Sequence, residues 1–462
     1  MSPGEFAAFV TMSLVVGALA TDLLIPALAG IGDDLALGGT HLGQTAIVAF
    51  LLGMGLPQPL FGPLGDRYGR RPLLLAGAGV FVAGAMLAAL AVDVTTLIGA
   101  RLIQGGGAGA IRVAVYATVR DRLSGSGMAR TLSLAMAGLL LEPIVAPMFG
   151  QVVLLLGSWR WIPLVMAATG AAVLCWAWWR LDESLPLDKR RPIVPASVVA
   201  AYRIVLADRH ALAHMFAYAL AMGAYVGFLT SAQGIFQHTY GTGLHFTPLL
   251  AFVSLATAVG AFLNVRLIRH CDSPCLIRRA LWGQTVMNGL ALAAASADVV
   301  GLRVFLAIQC LNMFAFGMLA PNLSTVAMNR LGHVAGTASS LFGFVTTGLG
   351  ALLGLAVGQL FDGTVRPLLV AYWVSSATAL RILMQAGAGV RHGRIRPACG
   401  AAARAETVVP VSGRPPRGGE SAACRPPTTL NASDSGPQDG SPTACPSRAT
   451  ASPAGGARCP DP

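Results

Sequence analysis

The fold class this sequence predicts is an all-α membrane protein of twelve spanning helices, and three observations predict it. Hydrophobic residues make up 55% of the 462 residues and charged ones only 11%, less than half the roughly 25% typical of a soluble domain. Apolar runs of about the 20 residues a bilayer demands follow one another with little soluble sequence between them. The cations fall unevenly between alternate loops. Together these exclude an ordinary soluble enzyme, and no paired catalytic carboxylates, nucleophile elbow or phosphate loop is found in the chain.

The spans are expected near 6–29, 43–65, 72–92, 96–119, 129–156, 159–179, 211–236, 247–268, 279–297, 300–327, 337–361 and 367–382. Strands of a membrane barrel would alternate apolar and polar residues, whereas 81–92 and 162–179 are apolar on every face. The first run has a cleavage-like Ala27-Leu28-Ala29, but residues 1–5 carry no Arg or Lys and Asp22 interrupts the apolar stretch. It is therefore taken as helix one, not a signal peptide.

The chain carries a formal net charge of +12. With the N-terminus cytoplasmic, the inner loops hold 17 Arg or Lys, among them Arg67, Arg70, Arg71, Arg120 and Lys189. The outer loops hold only Arg160, Arg303 and Arg366. The positive-inside rule then places both termini of this multi-pass protein in the cytoplasm, and the cell inner membrane is the expected location. The basicity follows topology, so nucleic acid is not an expected partner. Of the eight Cys, four lie in helices or an inner loop and four in the tail, which implies no disulfide framework. His270, Cys271 and Cys275 lack a fourth ligand, so no metal is expected.

The longest polar connection, 181–210, separates a six-helix bundle at 1–180 from a second at 211–390. Such a pair of bundles is the plan of a parallel-repeat transporter, with the substrate path between them. Residues 391–462 are rich in Ala, Pro, Gly, Ser, Thr and Arg without apolar period, the composition of disorder. Arg381 arrives 13 residues after Leu368, which shortens helix twelve. The expectation is that the native reading frame ends near residue 380 and that the tail is a non-native extension.

The loop after helix two reads Gly62-Pro63-Leu64-Gly65-Asp66-Arg67-Tyr68-Gly69-Arg70-Arg71-Pro72. With it go Ala20-Thr21-Asp22 through Pro26-Ala27 in helix one, Arg101-Leu102-Ile103-Gln104-Gly105 in helix four, and Val119-Arg120-Asp121 after it. Pro143 to Pro147 with Gly150 in helix five, Trp159-Arg160, and Ala335-Gly336-Thr337-Ala338-Ser339-Ser340 complete the set. Over about residues 6–380 these strings resemble the major facilitator superfamily, and within it the Bcr/CflA drug-resistance branch. The resemblance implies a proton-coupled antiporter exporting drug-like amphipathic molecules by alternating access. It implies no cofactor beyond a proton gradient, no enzymatic reaction and a monomer whose partners are substrate, protons and lipid. Export of a natural metabolite such as a sugar or small peptide, or a non-transporting or degraded product, are the alternatives.

In the loop, Gly62, Gly65 and Gly69 permit a tight turn, and Asp66 can pair with an Arg or a helix end. By resemblance, Asp66, Arg67, Arg70 and Arg71 latch the two halves on the cytoplasmic side; the plainer reading is that the arginines anchor topology. Asp22 is the main candidate for proton coupling, because a carboxylate within a span is costly unless paired or protonated. Depth counted from the inner face is roughly 24 Å for Asp22 and 27 Å for Arg101, so the two can meet. That pair either switches with protonation or is a permanent tie. Arg101, Gln104, Ala108 and Arg112 form one stripe expected to face the cavity. The glycines from Gly105 to Gly109 are read as small residues that let helices approach. Glu142 is either a second protonatable carboxyl or a partner for a carbonyl freed by Pro143 or Pro147. Those prolines, with Gly150, are expected to bend helix five. Tyr225 and Asn312 are further cavity candidates.

Overall fold

A computed structural model describes residues 1–35, 41–190, 195–297 and 299–392. All regular structure among them is helical. The segment 393–462, which contains nearly all of the expected unstructured tail, lies outside the described residues.

Helix α1 (Pro3–Asp22) starts at a capping box, in which Ser2 Oγ accepts from the Glu5 amide and Glu5 accepts from the Ser2 amide, both at 3.2 Å. A 3-10 turn at Ile25–Ala27, started by Pro26, carries the span on to α2 (Leu28–Asp34). Span two is split into α3 (His41–Gly55) and α4 (Gln58–Tyr68), bent by 42°. Pro57 sits at the break, where its missing N–H interrupts the hydrogen-bond ladder. Helices α5 (Arg70–Ala89), α6 (Val94–Arg122), α7 (Gly125–Leu156) and α8 (Trp161–Arg180) complete the first six spans. The central connection contributes α9 (Pro195–Ala207). Helices α10 (Arg209–Gly234), α11 (Phe246–Leu267), α12 (Ser273–Ser296), α13 (Leu302–Met328), α14 (Ala335–Gly343), α15 (Gly350–Gln359) and α16 (Arg366–His392) follow, α14 and α15 being joined by a π-helical stretch at Phe344–Leu349.

Nine of the described spans are long and apolar enough to cross a membrane, and the bent α3–α4 pair makes a tenth. Helices α6 and α12, at 29 and 24 residues, have the length as well. Their hydropathy is lowered by Arg101, Gln104 and Arg112 in one and by Arg278, Arg279, Gln284 and Asn288 in the other. Helix α16 does not end near 382 as expected; it runs through Arg381 to His392. Arg381 is exposed, so its guanidinium need not enter the packed interior and the helix continues past it.

Within the first six spans, α1 packs on α6, α7 and α8, and α5 on α6 and α8. Within the last six, α10 packs on α13, α15 and α16, and α12 on α13 and α16. The two sets meet where α3 touches α15, α4 touches α14, α7 touches α11 and the Ile25–Ala27 turn touches α10. The glycines of α6 permit close backbone packing: a Cβ on Gly105 would lie 2.0 Å from the Phe50 carbonyl oxygen, and one on Gly107 2.4 Å from the Phe81 nitrogen. Apolar side chains such as Leu141, Val145 and Val152 on α7 and Phe252, Val259 and Phe262 on α11 point outward and are exposed. Such faces suit lipid tails, which are as apolar as the side chains themselves.

Candidate transport cavity

A cavity of about 230 Å³ lies among α1, α3, α6, α7 and α10. Its polar lining includes Ser13, Thr21 and Asp22 of α1, Arg112 and Tyr116 of α6, Glu142 of α7 and Tyr225 of α10. Met54, Leu139, Met222 and Leu229 supply apolar wall. Helices from both six-helix sets therefore contribute to one chamber, as a path between the sets demands.

Asp22 and Glu142 are each 5% exposed, and their carboxyl groups lie within hydrogen-bonding reach of one another. Glu142 is delivered there because Gly138 packs against Thr11 and Val15, and Gly150 against the Leu23 carbonyl, which locks α7 along α1. Helix α7 runs through Pro143 and Pro147; Pro143 lines the cavity and Pro147 is buried. Glu142 Oε1 is buried and has no donor among the described residues. Tyr225 stacks on Phe316 with ring centroids 4.7 Å apart and planes 4° from parallel, which fixes its ring against the cavity wall.

Arg101 goes elsewhere. Its guanidinium, 1% exposed, donates to the Ala20 carbonyl (2.7 Å), the Ala46 carbonyl (3.2 Å) and Gln104 Oε1 (2.6 Å), and lies 4.6 Å from the Phe50 ring centroid. Among the described residues it makes no ion pair, so the expected Asp22–Arg101 pair is corrected: Arg101 ties the backbones of α1 and α3 to α6, and Asp22 faces Glu142. Equal depth in the membrane fixes height only, not the direction in which a side chain points. The polar stripe on α6 is likewise divided. Ala108 and Arg112 reach the cavity, whereas Gln104 is fully buried between Arg101 and Met166. Asn312 is not in the cavity lining either; it is fully buried in an amide cluster with Asn288 and Gln284 at 2.9–3.0 Å. Sequence reasoning missed Tyr116 and Met222, although each continues a pattern already noted, Tyr116 four residues beyond Arg112 and Met222 three before Tyr225.

At the far end of α4, Arg70 is 5% exposed and bridges Asp66 (2.5 Å) and Asp121 (3.1 Å). Gly69 adopts φ +106 between α4 and α5, a conformation that favours glycine. Glu183, from the central connection, accepts from the Arg70 and Arg71 amides at 2.9 and 3.3 Å, capping the N-terminus of α5. Arg71 donates to the Trp178 carbonyl, and Arg67 is exposed beside the Tyr68 ring. All of these partners belong to residues 1–183. Contact with the later helices from this region comes instead through Gly62, whose Cβ position lies 3.1 Å from Ser340 Oγ, and through Tyr202, whose hydroxyl donates to the Pro59 carbonyl. On the opposite face, Asp34 accepts from Arg160 and from Trp159 Nε1. These donors, Arg160 foremost, hold its carboxyl below the usual carboxylate range.

Residues 10–355 match the family model of the Major Facilitator Superfamily. The chain belongs to that superfamily. A relative in Bacillus subtilis (strain 168), the MFS-type transporter YdgK, is 30% identical over 351 residues, covering 75% of this chain and 87% of the relative. A bicyclomycin resistance protein homolog of Haemophilus influenzae is 24% identical over 358 residues, covering 75% and 87%. The solved structure of the human organic anion transporter MFSD10 (TETRAN) aligns with a TM-score of 0.61 at 19% identity, covering 83% of this chain and all of the other. The drug-resistance resemblance read from the loop and helix strings agrees with the name of the Haemophilus influenzae relative and with that of the multidrug resistance protein D of Escherichia coli, 24% identical over 351 residues.

Proposed function

We propose that this superfamily member is a proton-coupled antiporter that exports amphipathic, drug-like molecules across the bacterial inner membrane, with both termini cytoplasmic. The observation that carries this reading is the Asp22–Glu142 carboxyl pair in a cavity walled by both helix sets. Two carboxyls in hydrogen-bonding contact, with no cationic partner among the described residues, need a proton between them, because like charges at about 4 Å cost about 4 kcal/mol even at an effective dielectric near 20. Loss of that proton leaves a buried charge that must be met by water, by a cation or by a rearrangement of the helices. Alternating access supplies the rearrangement: the proton is taken up on one side, and substrate on the other. Each proton moving down 100 mV supplies about 2.3 kcal/mol, enough for a roughly fiftyfold gradient.

The bicyclomycin-resistance relative supports a drug-like cargo, as does the Met- and Tyr-lined wall, since Met adapts to irregular apolar shapes. Asp66, Arg70 and Asp121 brace the hinge between α4 and α5, and the contacts that open and close are those of Gly62 against α14 and of Pro59 against α9. The test is substrate-dependent proton movement in everted membrane vesicles. Asp22→Asn is expected to abolish it while some neutral ligands still bind. Full coupling in Asp22→Asn would remove the pair from the mechanism.

A further inference from the structure

The cavity carries a second charge that the coupling reading does not use. Arg112 lines it, and among the described residues its guanidinium makes neither an ion pair nor a hydrogen bond. The Ala108 methyl lies 3.7 Å from where a Cβ on Gly17 would sit, which sets the register of α6 against α1. One turn further along each antiparallel helix puts Arg112 level with Ser13, and Ser13 also lines the cavity. Nine residues separate Ser13 from Asp22, so the basic and acidic ends stand roughly 13 Å apart along the helix axis. Between them the wall includes Leu14, Gly17, Ala18, Leu139 and Met222. At the acidic end, Glu142 Oε1 is buried without a donor, a polar atom aimed at a ligand as well as at a proton.

We propose that the cavity selects amphoteric substrates: an apolar body with an amine at one end, received by Asp22 and Glu142, and a carboxylate or similar anionic group at the other, received by Arg112. The planar guanidinium fork matches a carboxylate bidentately. The amine replaces the proton that otherwise sits between the two acids. A plain cation satisfies one end only and leaves Arg112 without an anionic partner, so it binds less tightly. This deepens the antiporter reading and rests on it for the identity of the acidic end.

The experiment uses the full chain in lipid nanodiscs without a proton gradient. Binding is measured for ω-amino fatty acids of six to twelve carbons, and for the same molecules with the carboxylate converted to a primary amide. The amino acid of matching length is expected to bind about tenfold or more tightly than its amide, the value of a charge-assisted contact. Arg112→Gln is expected to bring that ratio to about one while leaving amide binding intact, and Arg112→Lys to keep part of it. Amide binding reports that each variant is folded. Equal binding of acid and amide by the wild type, or a preference that survives Arg112→Gln, overturns the proposal. Because binding is read without a gradient, these outcomes are separate from failure of proton coupling, which the Asp22→Asn vesicle assay reports.

Discussion

The two six-helix sets bury polar groups in different ways. Helices α1 to α8 hold Asp22, Arg101 and Glu142, ionisable groups at most 5% exposed, and Arg112 beside them. Helices α10 to α16 bury mainly neutral amides, along with His214: Asn322 donates to Asn264 at 2.5 Å, Asn288 and Gln284 join Asn312, and Gln309 donates to the Tyr372 hydroxyl at 2.7 Å, while Gln309 Oε1 and Asn322 Oδ1 have no partner among the described residues. An amide has no titratable proton to give up or take on, whereas a carboxyl pair does. On the antiporter reading proposed above, the changing charge belongs to the first set and the second set is a frame.

The largest expected effect tests whether Arg101 belongs with the changing charges or with the frame. Arg101→Ala would strand the Ala20 and Ala46 carbonyls and the Gln104 amide in a dry interior, and is expected to cost about 3 to 5 kcal/mol. Thermal unfolding in detergent would show it. Arg101→Lys should recover little, since an ammonium cannot reproduce the planar fork. Unaltered stability with lost proton coupling would return Arg101 to the mechanism. Next in size is Gly105→Ala, whose Cβ would meet the Phe50 carbonyl, with an expected loss of about 1 to 3 kcal/mol. Gly106→Ala is the matched control, its nearest contact being 3.8 Å away. In the second set, Asn312→Leu should cost about 1 kcal/mol, the size of an interhelical polar contact, and leave the proton stoichiometry of transport unchanged. A change of stoichiometry would show that the amides are not merely a frame.

The smallest effect concerns Asp34. Its folded carboxyl titrates below its usual range because of Arg160 and Trp159. Its contribution is therefore present above the unfolded carboxylate range and lost as pH falls through the folded value. Asp34→Asn should slightly lower the unfolding temperature at neutral pH and make no difference in strong acid.

Much of the fold could be read from the residues because span signals are local: apolar length, arginine in alternate loops, glycine and proline at the breaks. Gly69 marks the turn that the structure shows, whereas the bend at Pro57 was not expected within span two. Asp22, Glu142, Arg112 and Tyr225 were each recognisable singly, as polar groups in apolar runs. Their grouping was not. Glu142 lies 120 residues from Asp22, and nothing in spacing reveals which faces of α1 and α7 turn toward each other. The same gap explains why Arg101 was matched to the wrong partner and why Gln104 and Asn312 were expected in the cavity. The end of helix twelve was hidden for another reason: Arg381 would stop the span only as a buried charge, and it is exposed.

Glu183 carries a practical consequence for dissecting this transporter. Leu181 is buried, Arg122 donates to the Asp182 carbonyl, Glu183 grips the start of α5, and Arg190 approaches Glu183 at 3.8 Å. The opening stretch of the central connection is thus a clasp belonging to the N-terminal bundle, although hydropathy alone would draw the border at Arg180. Co-expressed fragments severed after Arg190 should reassemble, whereas a nick just past Arg180 hands the clasp to the wrong piece.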